Sequence, residues 1–274
     1  MPLTGTRRTV LLAGATGAGT DPATLAFVAA VAAAGGNVSA GRRALINQTI
    51  GALKVSGDWS DIDDLMVYAA ENQAQALVSW KLNLVGTPVN SPVFTADRCL
   101  ITDGVTQYVD TGFIPATHAT GMTGTDLAIG VYEVTNLSAN SYAAGAVTSN
   151  FSGLRVNPRV AATANVQANF TTTGLTTTPT SDGRGLTSAY RTPAPIYGGA
   201  KNGASLGTVT PVNNATGLVA LNIFVGGVSG SGNVLQTARA TNCGYLVLGR
   251  SAVALSGTFY SILQSHLGAI GGAV

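Results

Sequence analysis

The chain has 274 residues, of which 14 are Lys or Arg and 12 are Asp or Glu, for a net charge of +2 and 9% charged side chains; an ordinary soluble domain carries roughly 25%. With 46% apolar residues and a mean hydropathy of +0.30, so neutral a surface does little to hold copies apart in solution, which leaves a membrane protein or a subunit of an assembly. No stretch supplies the roughly 18 to 20 unbroken apolar residues of a membrane helix, the nearest, Val10 to Gly36, being cut by Thr16, Thr20, Asp21 and Pro22, so no membrane insertion is expected.

Residues 1–20 open with Arg7-Arg8 and Val10-Leu11-Leu12-Ala13, which imitate a twin-arginine or secretory signal, with Ala32-Ala33-Ala34 as its cleavage site. The segment reads instead as an extended arm leaning on another subunit, too rich in Gly, Ala and Thr to build its own core. Val10 to Gly19 also imitates a nucleotide-binding turn. A phosphate loop needs lysine before its Ser or Thr, and Gly19-Thr20 has none. The dinucleotide version needs an acid about 20 residues on, and after Asp21 the next acid is Asp58.

Residues 21–86 read as helical. Asp21 is an N-cap with Pro22 at the first helical position. Leu25, Val28, Ala29 and Ala32 keep helical spacing until Gly35-Gly36. Ser39 starts a second helix, with Leu45, Ile46, Thr49, Ile50 and Leu53 on one face, ending at Gly57. A third and a fourth short helix are expected over Trp59 to Leu65 and Asn72 to Leu82, with Trp59 and Trp80 packed in this region. Asp58, Asp61, Asp63 and Asp64 form the one acidic cluster; without the glycine of a calcium loop at its sixth position, it reads as helix capping and a solvated face.

After Gly86-Thr87-Pro88 the pattern changes to strands, and residues 87–274 read as an antiparallel β-sandwich with a closing helix. Alternation appears at Asp126 to Val134, Val160 to Phe170 and Leu218 to Val225. Asn202-Gly203 marks a hairpin between Ile196–Lys201 and Ser205–Thr210, since a type I′ turn wants positive φ at both positions. The threonine tract Thr171 to Pro179 reads as an exposed loop or an edge. Ser256 caps the last helix, with Phe259, Ile262, Leu263 and Leu267 on one side. Cys99 and Cys243 are the two cysteines, too few for a disulfide scaffold, and both are expected to stay reduced.

Particular segments carry a resemblance. Val93-Phe94-Thr95-Ala96-Asp97-Arg98 and Asp103 to Phe113 resemble the opening hairpin of laminin-G-like, concanavalin-type jelly rolls. Ile196-Tyr197 with Lys201-Asn202-Gly203 is similar to their central hairpin, and Tyr245 to Gly249 with the helix after Leu255-Ser256 to their closing strand and tail. Gly57-Asp58-Trp59 through Leu65, then Tyr68-Ala69-Ala70-Glu71-Asn72 and Ala76-Leu77, resembles segments preceding this jelly roll in tailed-phage and prophage virion proteins. Met66-Val67-Tyr68 departs from the bulkier aromatics expected there, and the jelly roll has no Trp. The resemblance implies a fold that is mainly β with a helical N-terminal region. It also implies a non-enzymatic structural component of a bacteriophage particle: head decoration, head fibre, neck or collar, or tail-fibre subunit. Such a protein is made in the bacterial host cytoplasm, resides in the virion, contacts other virion proteins and forms a homo-oligomer. The alternative is a host-surface glycan-binding module of a phage fibre; a third reading is a polysaccharide-degrading enzyme. The resemblance further implies that the strands of Cys99 and Cys243 run close together.

Calcium at a sheet rim, as in some laminin-G-like relatives, would use Asp103, Asp110 and Asp126. Zinc is not expected, because His118, His266 and the cysteines lack ligand spacing. Glycoside hydrolysis needs paired carboxylates, and Asp126, Glu133 and Asp182 are not paired at strand spacing. No catalytic residue, metal ligand or cofactor-binding residue is assigned, and His266 reads as a surface or interface residue. A sugar site would draw on Tyr142, Phe151, Tyr190 and Tyr197 with Asn140, Asn150, Asn157 and Asn202, unless these aromatics are core. Nucleic acid is not expected, because the basic residues form no stripe.

Overall fold

The computed structural model describes residues 19–148, 153–168, 176–194, 196–209 and 217–273; the expected arm over residues 1–18 lies outside them. In chain order the elements are α1 (Pro22–Ala33), α2 (Ala40–Ser56), α3 (Asp58–Asp61), β1 (Ile62–Val67), α4 (Gln73–Ala76), β2 (Thr87–Val89), β3 (Val93–Thr95), β4 (Cys99–Asp103), β5 (Tyr108–Asp110) and α5 (Pro115–His118). There follow β6 (Leu127–Glu133), β7 (Ala144–Val147), β8 (Gly153–Val160), β9 (Thr163–Ala168), β10 (Thr176–Pro179), β11 (Gly185–Arg191), β12 (Tyr197–Lys201) and β13 (Ala204–Val209). The chain closes with β14 (Phe224–Val225), β15 (Gly227–Gly230), β16 (Val234–Ala238), β17 (Ala240–Gly249), α6 (Ser251–Leu255) and α7 (Gly257–Ala269).

The first two helices begin and end where their capping residues stand. Asp21 accepts from the Ala23 amide, Ser39 from the Arg42 amide, and Gly57, at φ +88°, closes α2. The third expected helix is corrected. It lasts one turn, and Ile62–Val67 is a strand paired antiparallel with β17. Leu65 and Val67 face the helices while Met66 faces the opposite core, an alternation that a helix over the same residues would scramble. The fourth is also a single turn, started by Asn72 accepting from Gln75. Among the residues after it, the Trp80 amide donates to the Leu65 carbonyl instead of continuing a helix.

The strands form an antiparallel β-sandwich of two sheets. The eight-stranded sheet runs β13-β12-β11-β6-β17-β4-β3. On one edge β17 takes β4 along Ala240–Cys243 and β1 along Tyr245–Gly249. The nine-stranded sheet runs β10-β9-β8-β7-β14-β5-β2, with the β15–β16 hairpin attached to β7. Only the single bridge of β15 to β7 is parallel among the described pairs. Asn202 (φ +54°) and Gly203 (φ +81°) make the expected hairpin turn between β12 and β13. The expected strand Leu218 to Val225 shrinks to Phe224–Val225, and Thr176–Pro179 of the threonine tract is an edge strand.

Two apolar layers result. Leu127, Ile129 and Val131 of β6 pack with Leu154, Val156, Val166, Leu246 and Leu248 between the sheets. Ala128 and Tyr132 of the same strand face outward, with Tyr190, Tyr245 and Val247, under Phe27, Ile46, Ile50, Phe259, Leu263 and Leu267. The helices therefore cover the outer face of the eight-stranded sheet, giving three layers, and β6 and β11 are buried along their whole length. Cys243 is register-paired with Leu100, next to Cys99. Cys99 faces the helical side and Cys243 the inter-sheet core, so the thiols lie on opposite faces of one sheet and cannot bridge. No helix among the described residues is long and apolar enough to cross a membrane.

Candidate functional site

With one sheet covered by helices, the outer face of the nine-stranded sheet is the broad face on which side chains of different strands come together. Antiparallel register places Gln167 of β9, Arg155 of β8, Gly145 of β7, Phe224 of β14, Asp110 of β5 and Thr87 of β2 in one row across it. Leu154, Val156, Val166 and Ala168 alternate with this row and fill the core, so the alternation of side chains puts Arg155, Asn165 and Gln167 on the other face, where Arg155 and Asn165 are half-buried and Gln167 is buried. Arg155 lies over the Tyr142 ring, its guanidinium carbon 4.3 Å from the centroid. Burial holds the Arg155 pKa below its ordinary value and raises that of Tyr142, against the pull of the neighbouring cation. Arg155 Nε and Asn165 Oδ1 are buried with no hydrogen-bond partner among the described residues. A buried polar atom left this way costs about 1–3 kcal/mol. Further along the row Tyr108 stacks on Phe224 at 4.5 Å, and Asp110 accepts from Gly112 N and Asn222 Nδ2.

Of the sugar-site residues weighed in the sequence, Tyr142 stands on this face. Asn157 shares it but is occupied, donating to Ala139 O and accepting from Arg159 N. Tyr190 is buried under the helices with its hydroxyl on Ser205, and Tyr197 is buried beneath Arg191; both are core residues. Asn202 is the turn residue, accepting from Leu186 N, and Asn140 is exposed. Phe151 and Asn150 lie outside the described residues. The sequence reading missed Arg155, Asn165 and Gln167, although the alternation in Leu154-Arg155-Val156-Asn157 and Ala164-Asn165-Val166-Gln167 carries the signal.

The acidic residues are each tied locally. Asp103 accepts from the amides of Val105, Thr106 and Gln107. Asp126 accepts from Ser251 N and Oγ and from Arg250 Nε. These two and Asp110 do not converge, and no group of three metal-ligating side chains occurs among the described residues. The cluster expected to be a solvated face is partly interior. Asp63 is buried, accepting from Thr120 N and Oγ1, Gly121 N and Met122 N. Asp64 is buried too, and burial pushes its carboxyl up to about 6. Asp61 meets Arg250, and Asp58 accepts from Ser56. These contacts fasten β1 to the 120–122 loop and to the start of α6. His266 is likewise interior, not a surface residue: it is 2% exposed, edge-on to Trp80 at 5.1 Å, with Nδ1 2.9 Å from Thr49 Oγ1. Glu133 is fully buried against Arg239 and also accepts from Asn242 N. Burial raises its pKa despite that partner, but a side chain closed off from solvent offers no acid to a substrate.

No family model matches the chain, and no curated protein sequence matches it. Solved structures do resemble it. A Trypanosoma rangeli sialidase in complex with 2,3-difluorosialic acid superposes with a TM-score of 0.51 at 12% identity, over 84% of this chain and 39% of that one. Domain 4 of an extracellular arabinanase from Geobacillus stearothermophilus, in complex with arabinotriose, gives 0.41 at 12% identity over 74% and 98%. Mouse laminin α1 chain domains LG4-5 give 0.33 at 12% identity over 61% and 43%. The chain spans 33% to 40% of the length of the sialidases it matches. At such identities the likeness is one of fold.

Proposed function

We propose that this chain is a non-enzymatic recognition module that binds carbohydrate on the outer face of its nine-stranded sheet, carried on a bacteriophage particle. The observation that carries the reading is the patch of Tyr142, Arg155 and Asn165. It combines an aromatic ring, a guanidinium fork and an amide on one surface, with no carboxylate paired to the guanidinium among the described residues. Sugar hydroxyls need paired donors and acceptors beside an apolar platform, which this set supplies. The carboxylates, tied up locally or buried, favour binding over hydrolysis, which needs two flanking the bond. The sialidase named above was solved with a sugar bound, which agrees with the reading. The phage setting rests on the resemblance of the helical preface to virion proteins. Titration of the full chain against an oligosaccharide panel tests the proposal. Binding lost in Tyr142→Ala is expected; a folded protein that binds no sugar overturns it.

A second reading, a particle-building subunit acting through protein contacts, is favoured by the 9% charged content. Its signature is a homo-oligomer that incorporates into particles.

A further inference from the structure

We propose that the sugar taken by the Tyr142–Arg155 patch carries a carboxylate, as in a uronic or sialic acid; this rests on the reading that the face binds carbohydrate. Charge distribution is the first observation. Between Glu133 and Asp182 there is no acidic residue, and the two charges are Arg155 and Arg159. Residues 134–274 hold seven Lys and Arg and one acid, Asp182. Several of those cations are neutralised: Arg184 by Asp182, Arg239 by Glu133, Arg250 by Asp126 and Asp61. Arg155 has no ion pair among the described residues; what it meets is a ring face. The carboxylate on the same face, Asp110, stands three strands away, roughly 14 Å at sheet spacing, and already accepts from Asn222 and Gly112.

The local geometry is the second observation. Arg155 is partly desolvated, half-buried over the Tyr142 ring, with no ion pair among the described residues. A carboxylate facing the guanidinium takes two parallel N–H···O bonds and recovers the charge that burial disfavours. The half-buried Asn165 on the same face adds an amide but no second cation. One cation beside an amide thus fits a singly charged, hydroxyl-rich ring better than a polysulfated chain.

The test is calorimetric titration of the full chain with an oligogalacturonate, its neutral oligogalactoside counterpart, sialyllactose and lactose. At least one acidic sugar is expected to bind about tenfold or more tighter than its neutral partner, as a charge-assisted bidentate pair implies. The gain should vanish in Arg155→Gln and shrink as salt rises. In the unmutated protein, phenylglyoxal labelling of Arg155 should be blocked by that acidic sugar and not by the neutral one. The uronate and sialyl arms tell which acid is preferred. Equal binding of acidic and neutral sugars, or an unprotected Arg155, overturns this inference while leaving carbohydrate binding intact. Binding of none of the four overturns both.

Discussion

His266 and Asp64 pull stability in opposite directions as pH falls. Burial and the nearby Arg42 push His266 down to about 3, whereas an unfolded histidine takes its proton near pH ~6.5. Acidification below that value therefore favours the unfolded chain. Asp64 is raised by burial to about 6 from an ordinary 3.8. Below pH 6 the folded state takes this proton first, so stability rises until the unfolded value is reached. Between roughly pH 7 and 4.5 each contribution is on the order of 2 kcal/mol, and they nearly cancel. We expect His266→Gln to gain stability on acidification across that window and Asp64→Asn to lose it, read from urea midpoints; shifts of the same sign in both variants would contradict the assignment. Glu133 makes a different test. Glu133→Gln leaves the Arg239 guanidinium buried without its counter-charge and is expected to cost about 3–5 kcal/mol. A Glu133→Leu, Arg239→Met double variant should recover most of that loss by thermal melting.

At the level of elements, α7 is a lid on the outer face of the eight-stranded sheet, with Leu263 fully buried among the residues of that layer. Leu263→Ala should cost about 2–5 kcal/mol in chemical denaturation, whereas a helix merely appended to the sandwich would lose far less. Gly203 gives a sharper case, because its positive φ and its approach to α7 act together. A Cβ there would lie 2.6 Å from the backbone of Gly257, so Gly203→Ala should destabilise by more than the ~1 kcal/mol of the turn alone. The caps of α1, α2 and α7 were legible in Asp21-Pro22, Ser39 and Ser256 because a cap is a local contact. So was the Asn202-Gly203 turn. Strand β1 was not, since six residues of mixed apolar and acidic character fit either a helical turn or a strand. Its choice is made by β17, some 180 residues away. The ligand face was half legible: alternation puts Arg155 and Gln167 on that face, but only the β8–β9 register sets them side by side.

For the whole molecule, the two proposed readings make different demands on association. Residues 1–133 hold eleven acids and seven Lys and Arg, while residues 134–274 hold one acid and seven Lys and Arg. The two halves interleave in the fold, with β17 between β6 and β4, and Arg239 and Arg250 pair with acids of the first half, so this division makes no opposite poles and association draws on the neutral surface. Exposed valines add apolar contact surface, Val55 at 91% and Val105 at 71% exposure. A single shallow sugar patch binds weakly, and linked copies raise avidity by roughly 10²–10⁴ when the sites engage one surface together. Oligomerisation would therefore serve recognition as much as construction. We expect sedimentation velocity at micromolar concentration to show a discrete oligomer, each pair burying well over ~1,000 Å². We also expect that oligomer to hold a carboxylated glycan surface far more tightly than the free trisaccharide binds in calorimetry. A monomer with equal affinity for surface and trisaccharide would count against assembly and leave single-site recognition as the function.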